Sequence, residues 1–171
     1  MEVGTSSVLM LPYAASSVGV ARRRLMGDLT EAGVYEATAC DAGLVLSELI
    51  SNALRHATPL PGAAVRVSWR LDDDSIEVSV SDGGGPTVPV ASEPGGSAIG
   101  GRGLGIVDRL SMRWGVYTAP GGERETTVWA LLALHCDDVA DAAVRTEDSC
   151  PRAADAAEPI PGLVTAATRD A

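Results

Sequence analysis

Phenylalanine and lysine are both absent from the sequence, so every basic side chain is an arginine or a histidine. This bias, together with abundant alanine, is typical of a GC-rich genome, and function is not needed to explain it. Cysteine is also sparse. Cys40, Cys136 and Cys150 form no C-x-x-C pair, so the sequence indicates neither a zinc site nor a disulfide framework.

Long apolar runs and a net positive charge are missing as well. The sequence has no run of about 18 apolar residues, which argues against a membrane-spanning helix. Its N-terminus lacks the basic start and long apolar stretch of a signal peptide, so we expect a cytoplasmic protein by default. The formal net charge of −10 argues against broad nucleic-acid binding, because a polyanion would be repelled.

Hydrophobic periodicity divides the chain into a domain at residues 1–135 and a tail at residues 136–171. A short apolar run closed by Pro12 predicts an edge strand at 8–11, and alternation of apolar and polar residues predicts strands at 65–69 and 76–80. Two further strands are predicted at 112–117 and 126–132. Helical spacing predicts helices at 16–31, 36–57 and 106–110. The tail is acidic, rich in alanine and interrupted by prolines, which favours disorder, with a short helix around 139–144 as the alternative.

The longest predicted helix carries a polar stripe. Glu48, Asn52 and His56 are four residues apart, which places a carboxylate, an amide and an imidazole on one helix face. Apolar neighbours such as Leu49 and Ile50 would seat that helix on a core. The stripe is compact enough to hold a metal ion and its water, and the alternative is the polar surface of an ordinary amphipathic helix.

A carboxylate followed by glycines marks the end of the predicted strand 76–80. Asp82 comes directly after that strand, where its side chain can reach into a pocket and accept the exocyclic amine of an adenine. The glycines at 83, 84 and 85 would let a ring lie against the backbone, although a simple turn explains them equally well. The following residues, 87–100, have the composition of a mobile lid.

A second glycine-rich stretch, Gly101-Arg102-Gly103-Leu104-Gly105, opens the third predicted helix. The exposed N–H groups and the positive dipole end of a helix suit a triphosphate, and an arginine can add a bidentate contact to phosphate. The stretch is not a P-loop, because no Gly-Lys-Ser/Thr follows. It also lacks the spacing of the dinucleotide-binding fingerprint.

In this order the motifs closely resemble the GHKL (HATPase_c) ATP-binding fold. Residues 48–53 are similar to its N box, 82–84 to its first glycine box and 101–105 to its second. The small size, short lid and Arg-His pair after the N box most resemble the anti-sigma factor serine/threonine kinases of the RsbW and SpoIIAB type. The resemblance covers roughly residues 8–134. Pro86 departs from it, since the first glycine box often ends in glycine there.

The resemblance implies an α/β sandwich, in which helices cover one face of a mostly antiparallel sheet, with Mg-ATP as the ligand. Asn52 would bind Mg²⁺ and Glu48 would act as the general base. Asp82 would bind the adenine amine, with Gly84 beneath the ring. The remaining nucleotide-binding residues implied are His56, Gly101, Arg102, Gly103, Leu104, Gly105 and Thr127, with Thr126 as the alternative to Thr127.

The function implied by the resemblance is that of an anti-sigma factor kinase. It would phosphorylate a serine of a small anti-anti-sigma (STAS-type) partner and bind a sigma factor when that partner is absent. The alternative is an ATP-dependent binding module with little or no turnover. We also expect a homodimer that pairs through the edge strand 8–11, and no direct contact with nucleic acid or a membrane.

Overall fold

The structure, a computed structural model, describes residues 5–86, 102–119, 125–134 and 164–168. Its strands are β1 (Ser6–Pro12), β2 (Ala64–Leu71), β3 (Ser75–Asp82), β4 (Arg113–Thr118), β5 (Thr126–Ala133) and β6 (Val164–Thr168). Its helices are α1 (Ser16–Glu31), α2 (Glu36–His56) and α3 (Arg102–Leu110). Every strand and helix that the periodicity predicts within residues 1–135 is present, with bounds that differ by a few residues.

The six strands form a single antiparallel sheet in the order β1-β2-β3-β5-β4-β6. Alternate residues of β2, β3 and β5 are buried, which gives the sheet one covered face. The three helices pack on that face. The predicted fold class, a mostly antiparallel sheet with helices on one side, is therefore confirmed.

The central helix α2 supplies much of the core. Its buried residues recur three or four positions apart, as an apolar stripe on a helix requires. Val45, Leu46 and Ile50 are completely buried there. The facing layer consists of Val65, Val67, Trp69, Ile76, Val78, Val80, Val128, Ala130 and Leu132. Within the described ranges, no helix combines the length and apolarity needed to cross a bilayer.

The last strand differs from the prediction of a disordered tail at 136–171. Val164–Thr168 forms β6 and pairs with the open edge of β4, with an irregularity in register between Trp114 and Gly115. Three of its five residues are β-branched, which favours a strand locally although the tail as a whole is acidic and proline-broken. Residues 135–163, including the alternative helix at 139–144, lie outside the described residues, and the domain boundary remains a prediction.

Candidate functional site

The polar stripe of α2 faces the start of α3. Glu48 and Asn52 are half-buried and lie one turn apart. Gly103 of α3 comes so close that a Cβ there would lie 2.6 Å from Glu48 Oε2 and 3.2 Å from Asn52 Oδ1. Real Cβ atoms do not approach other atoms as closely as 2.6 Å, so glycine is required at this position unless the carboxylate moves. The fold therefore brings the polar stripe of α2 and the second glycine stretch together.

The side-chain amide of Asn52 has an unused hydrogen-bond donor near Gly103. Its Nδ2 atom is buried and has no hydrogen-bond partner among the described residues. An orphaned buried amide is costly in a folded protein unless a ligand or water completes its bonding. The amide and the neighbouring Glu48 carboxylate thus form a polar pair that fits a bound ligand.

The remaining parts of the second glycine stretch are only partly described. Helix α3 begins at Arg102, so Gly103 and Gly105 lie in its first turn and not ahead of it as the sequence predicts. Leu104 is buried in the core, so its side chain is not available to a ligand. Gly101 and the side chain of Arg102 lie outside the described residues. The predicted lid at 87–100 lies outside them as well.

Asp82 occupies the end of β3 and is only 4% exposed. Its Oδ1 accepts the backbone N–H of Gly84 at 2.8 Å. Burial raises the pKa of Asp82 from its ordinary value of 3.8 to about 6; the Gly84 hydrogen bond opposes this rise and the charge of Glu125 adds to it. A buried carboxylate at the end of a strand, with a perturbed pKa, marks a candidate ligand contact.

The first glycine box packs against the chain that leaves α2. A Cβ at Gly83 would lie 2.4 Å from the carbonyl oxygen of Pro59, and one at Gly85 would lie 2.3 Å from that of His56. Gly84 has a φ of +75°, which favours glycine. Both glycine boxes therefore contact the same helix or its immediate continuation.

His56 contributes to this packing through its backbone. The imidazole is exposed at the end of α2, and the described contact with the glycine loop is made by the carbonyl oxygen. The structure therefore brings together Glu48, Asn52 and Gly103 but leaves the third member of the predicted stripe at the surface.

The assignment of Thr127 to the adenine side is corrected by the register of β5. Asp82 pairs with Thr126. Each of the two is an even number of residues away from the buried apolar residues of its own strand, so both side chains are on the face covered by the helices. Thr127 lies on the opposite face, where its hydroxyl is 2.7 Å from that of Ser81. Because side chains alternate along a strand, a shift of one residue reverses the face, and Thr126 is the threonine on the Asp82 side.

Two residues that the sequence analysis missed support the site. The hydroxyl of Tyr13 lies 2.6 Å from the carbonyl oxygens of both Ala53 and Ala57, at the end of α2. Burial, and then the charge of Asp82, raise the pKa of Tyr13. Thr58 bonds to the first glycine box. No sequence spacing connects Tyr13 to a helix end forty residues later, whereas Thr58 directly follows the helix, so the sequence does indicate its position at the helix end.

Comparison with known proteins assigns the family. The model of the histidine kinase-like ATPase domain matches residues 11–131. The chain therefore belongs to the histidine kinase-like ATPase domain family, and the predicted resemblance to the GHKL fold is confirmed. Membership of this family implies an ATP-binding domain.

A solved structure shows the same fold. The chain is similar to the RsbU and RsbW domains of Rv1364c from Mycobacterium tuberculosis, with a TM-score of 0.58 and 20% sequence identity. The match covers 76% of this chain and 32% of that one, so this chain spans about a third of the length of the protein it matches. A comparison with curated proteins finds no match.

The two glycines of α3 offer a test of the packing against α2 without any ligand. Gly105→Ala should stabilise the protein by about 0.5–1 kcal/mol, because alanine is the better helix former and a Cβ there meets nothing within 4 Å. Gly103→Ala should give no such gain, because its methyl group must displace the Glu48 carboxylate. Urea unfolding of the two variants measures the difference, and an equal gain for both would contradict the described contact.

Asp82→Asn should raise the free energy of unfolding above pH 6. A carboxyl whose pKa is raised to about 6 in the folded state stabilises that state below its ordinary value of 3.8, and this contribution is lost as the pH rises through 6. Asparagine is neutral throughout, so the variant should be about 1–3 kcal/mol more stable at pH 8 and equal to wild type near pH 4.

The measurement is denaturant unfolding between pH 4 and pH 8 in the absence of nucleotide. Asp73→Asn, in the exposed turn between β2 and β3, is the control for the loss of one negative charge. A stability gap between wild type and Asp82→Asn that does not widen with pH would show that the buried carboxylate is not penalised in the fold.

Proposed function

We propose that this chain binds Mg-ATP between Asp82 and Gly103 and uses it as a regulatory serine/threonine protein kinase in the cytoplasm. The observation that carries the proposal is the close approach of Gly103 to Glu48 and Asn52. The absence of a side chain at Gly103 lets the backbone come close to the polar pair of α2, where a phosphate chain could be held. Membership of an ATPase-domain family supports ATP as the nucleotide.

The phosphates would lie at the start of α3. The first backbone N–H groups of a helix have no partner within the helix, and the dipole there favours an anion. They belong to residues 102–104, with Gly101 ahead of them. The guanidinium of Arg102 would add to this positive surface.

The amide oxygen of Asn52 would bind Mg²⁺. When bound, Mg²⁺ neutralises charge on the phosphates. Across the described ranges, no group of three His, Cys, Asp or Glu residues is placed to hold a metal. Asn52 would hold the ion together with the bound nucleotide, since proteins usually bind Mg²⁺ through one or two side chains plus the phosphates of a substrate.

The adenine would lie at the other end of the site. Gly84 N–H already orients one oxygen of Asp82, so the second oxygen can accept the exocyclic amine. Gly84 would lie beneath the ring, and the hydroxyl of Thr126, across from Asp82 in the sheet, would face the base. Ionised Asp82 is the better acceptor, so nucleotide binding would lower the pKa of this carboxyl, which is about 6, and would release a proton at or below that pH.

Glu48 would act as the general base. Its carboxylate would take the proton of a serine hydroxyl on the partner, while the serine oxygen bonds to the γ-phosphorus and the bond to the β–γ bridging oxygen breaks, releasing ADP. The proposed substrate is an anti-anti-sigma protein of STAS type, and the proposed second partner is a sigma factor. The support for these partners is the fold shared with the RsbU–RsbW structure and the family motifs.

Glu48→Gln should separate nucleotide binding from phosphoryl transfer. Glutamine has nearly the same shape, so calorimetry should show unchanged Mg-ATP affinity. Loss of the base should slow partner phosphorylation by about 10²–10⁴-fold, which is the usual range for general-base catalysis. Labelled ATP and candidate STAS-type partners provide the transfer assay.

Asn52→Ala is the matched variant on the same helix face and should lose Mg-dependent binding instead. Unchanged affinity in both Asn52→Ala and Asp82→Asn would remove the proposed site. If neither wild type nor Glu48→Gln transfers phosphate, while both bind ATP and capture the sigma factor, the chain is an ATP-dependent binding module.

We also propose that two copies pair along β1. This strand is one of the two outer strands of the described sheet and carries no charged residue. Its Val8 and Met10 are 65% and 57% exposed. Native edge strands usually carry a charged residue or a proline that blocks such pairing, and β1 has only Pro12, at its end.

Light scattering should therefore give a dimer mass for wild type and a monomer mass for Val8→Lys. The control is Val20→Lys, which adds the same charge at an exposed position of α1. A monomer mass for wild type at tens of micromolar, or equal dimerisation of the two variants, would contradict pairing along β1.

A further inference from the structure

The segment that follows α2 is bonded to the first glycine box by its backbone. Thr58 N–H donates to Gly84 O at 2.8 Å, and Gly83 N–H donates to Thr58 O at 2.7 Å. This pair of bonds joins two loops that are separated by 25 residues in the chain. The loop that carries Asp82 is therefore fastened to the end of the helix that carries Glu48.

The side chain of Thr58 adds a third connection. Its Oγ1 lies 2.9 Å from Gly84 O and 3.0 Å from Gly83 O. A hydroxyl has one proton, so it donates to these two carbonyls in turn or shares the proton between them. In both cases the hydroxyl binds the carbonyl oxygens of Gly83 and Gly84 to the residue that follows the end of α2.

The peptide groups around Gly84 are thus held from two sides. On one side the Gly84 carbonyl accepts from Thr58, and on the other the Gly84 N–H donates to Asp82 Oδ1 at 2.8 Å. A shift of the Gly84 peptide would lengthen or bend the bond that orients the carboxylate. The orientation of Asp82 depends in this way on a hydroxyl that does not touch it.

We infer that Thr58 is a positioning residue for base recognition, whose hydroxyl fixes the Gly83–Gly84 turn and through it the carboxylate of Asp82. The inference rests on the proposed ATP site and adds to it the residue that sets the geometry of its adenine end. Thr58 is itself exposed and lies outside the buried core, so its side chain contributes little apolar burial. What it supplies is a hydrogen-bond donor at the turn.

Thr58→Val and Thr58→Ser form the decisive pair of variants. Valine keeps the β-branched shape and removes the hydroxyl, whereas serine keeps the hydroxyl. We expect Thr58→Val to weaken Mg-ATP and Mg-ADP by the same factor, about three- to tenfold, as the loss of one hydrogen bond allows. Thr58→Ser should bind both nucleotides within about twofold of wild type, on the same reasoning.

The ratio of ATP to ADP affinity reports on the phosphate end of the site and should not change in either variant. At saturating ATP, kcat for partner phosphorylation should also stay at the wild-type value while KM rises. Thr30→Val is the control, because Thr30 also donates its hydroxyl to a backbone carbonyl, Met26 O at 2.7 Å, at an exposed position of α1. It should leave both nucleotide affinities unchanged.

The outcomes are distinct. If Thr58→Val unfolds at a lower temperature but binds both nucleotides as wild type does, the hydroxyl has only a structural role and the inference is overturned. A changed ATP-to-ADP ratio, or failure of serine to rescue binding, would overturn it too. If wild type binds no nucleotide, the proposed function fails and the inference fails with it, and this is seen before any variant is tested.

Discussion

The burial of the apolar stripe of α2 against the sheet is the interaction on which the site depends. Val45, Leu46, Leu49 and Ile50 are each at most 2% exposed. Burying side chains of this size contributes about 1.5–3 kcal/mol each, so rotation of the helix about its axis is strongly opposed. The polar face of α2 is therefore presented in one fixed direction, toward α3. The packing of the core therefore fixes the positions of the site residues on α2, although the core residues do not take part in the chemistry.

The site itself works against the stability that the core supplies. Asp82 is buried where its charge is disfavoured, and Glu125 adds repulsion. Asn52 keeps a buried amide nitrogen without a partner in the described part of the chain. Groups of this kind are retained where a ligand completes their bonding, and they cluster at functional sites. The two lie at opposite ends of the proposed nucleotide site, which is where a base and a phosphate chain would each need a polar contact.

Most of the fold could be predicted because short-range sequence patterns indicate its helices and strands. The alternation in β2 and β3 and the helical spacing in α2 reflect which side faces the core, and the structure has both elements where the patterns place them. The glycine boxes and the N box were likewise found from their local order along the chain.

What the sequence did not predict depends on register and on contacts between distant segments. The choice between Thr126 and Thr127 turns on which residue pairs with Asp82, and a strand pattern that begins with two threonines does not decide it. The bonds of Tyr13 and Thr58 to segments 25 to 44 residues away have no periodic signature. Strand β6 was missed because the composition of a long tail outweighed five residues that pair with an open edge.

The length of α2 between Glu48 and its last residue, His56, sets the distance between the two places where glycine stretches contact this helix. Eight residues of α-helix span about 12 Å, and this rise separates the carboxylate beside Gly103 from the carbonyl against Gly85. A nucleotide bound as proposed would have to match this distance. Inserting one residue in this stretch would lengthen this part of the helix by about 1.5 Å and rotate its two ends by about 100° relative to each other. The last two turns of α2 can therefore vary in composition on their exposed side but not in length.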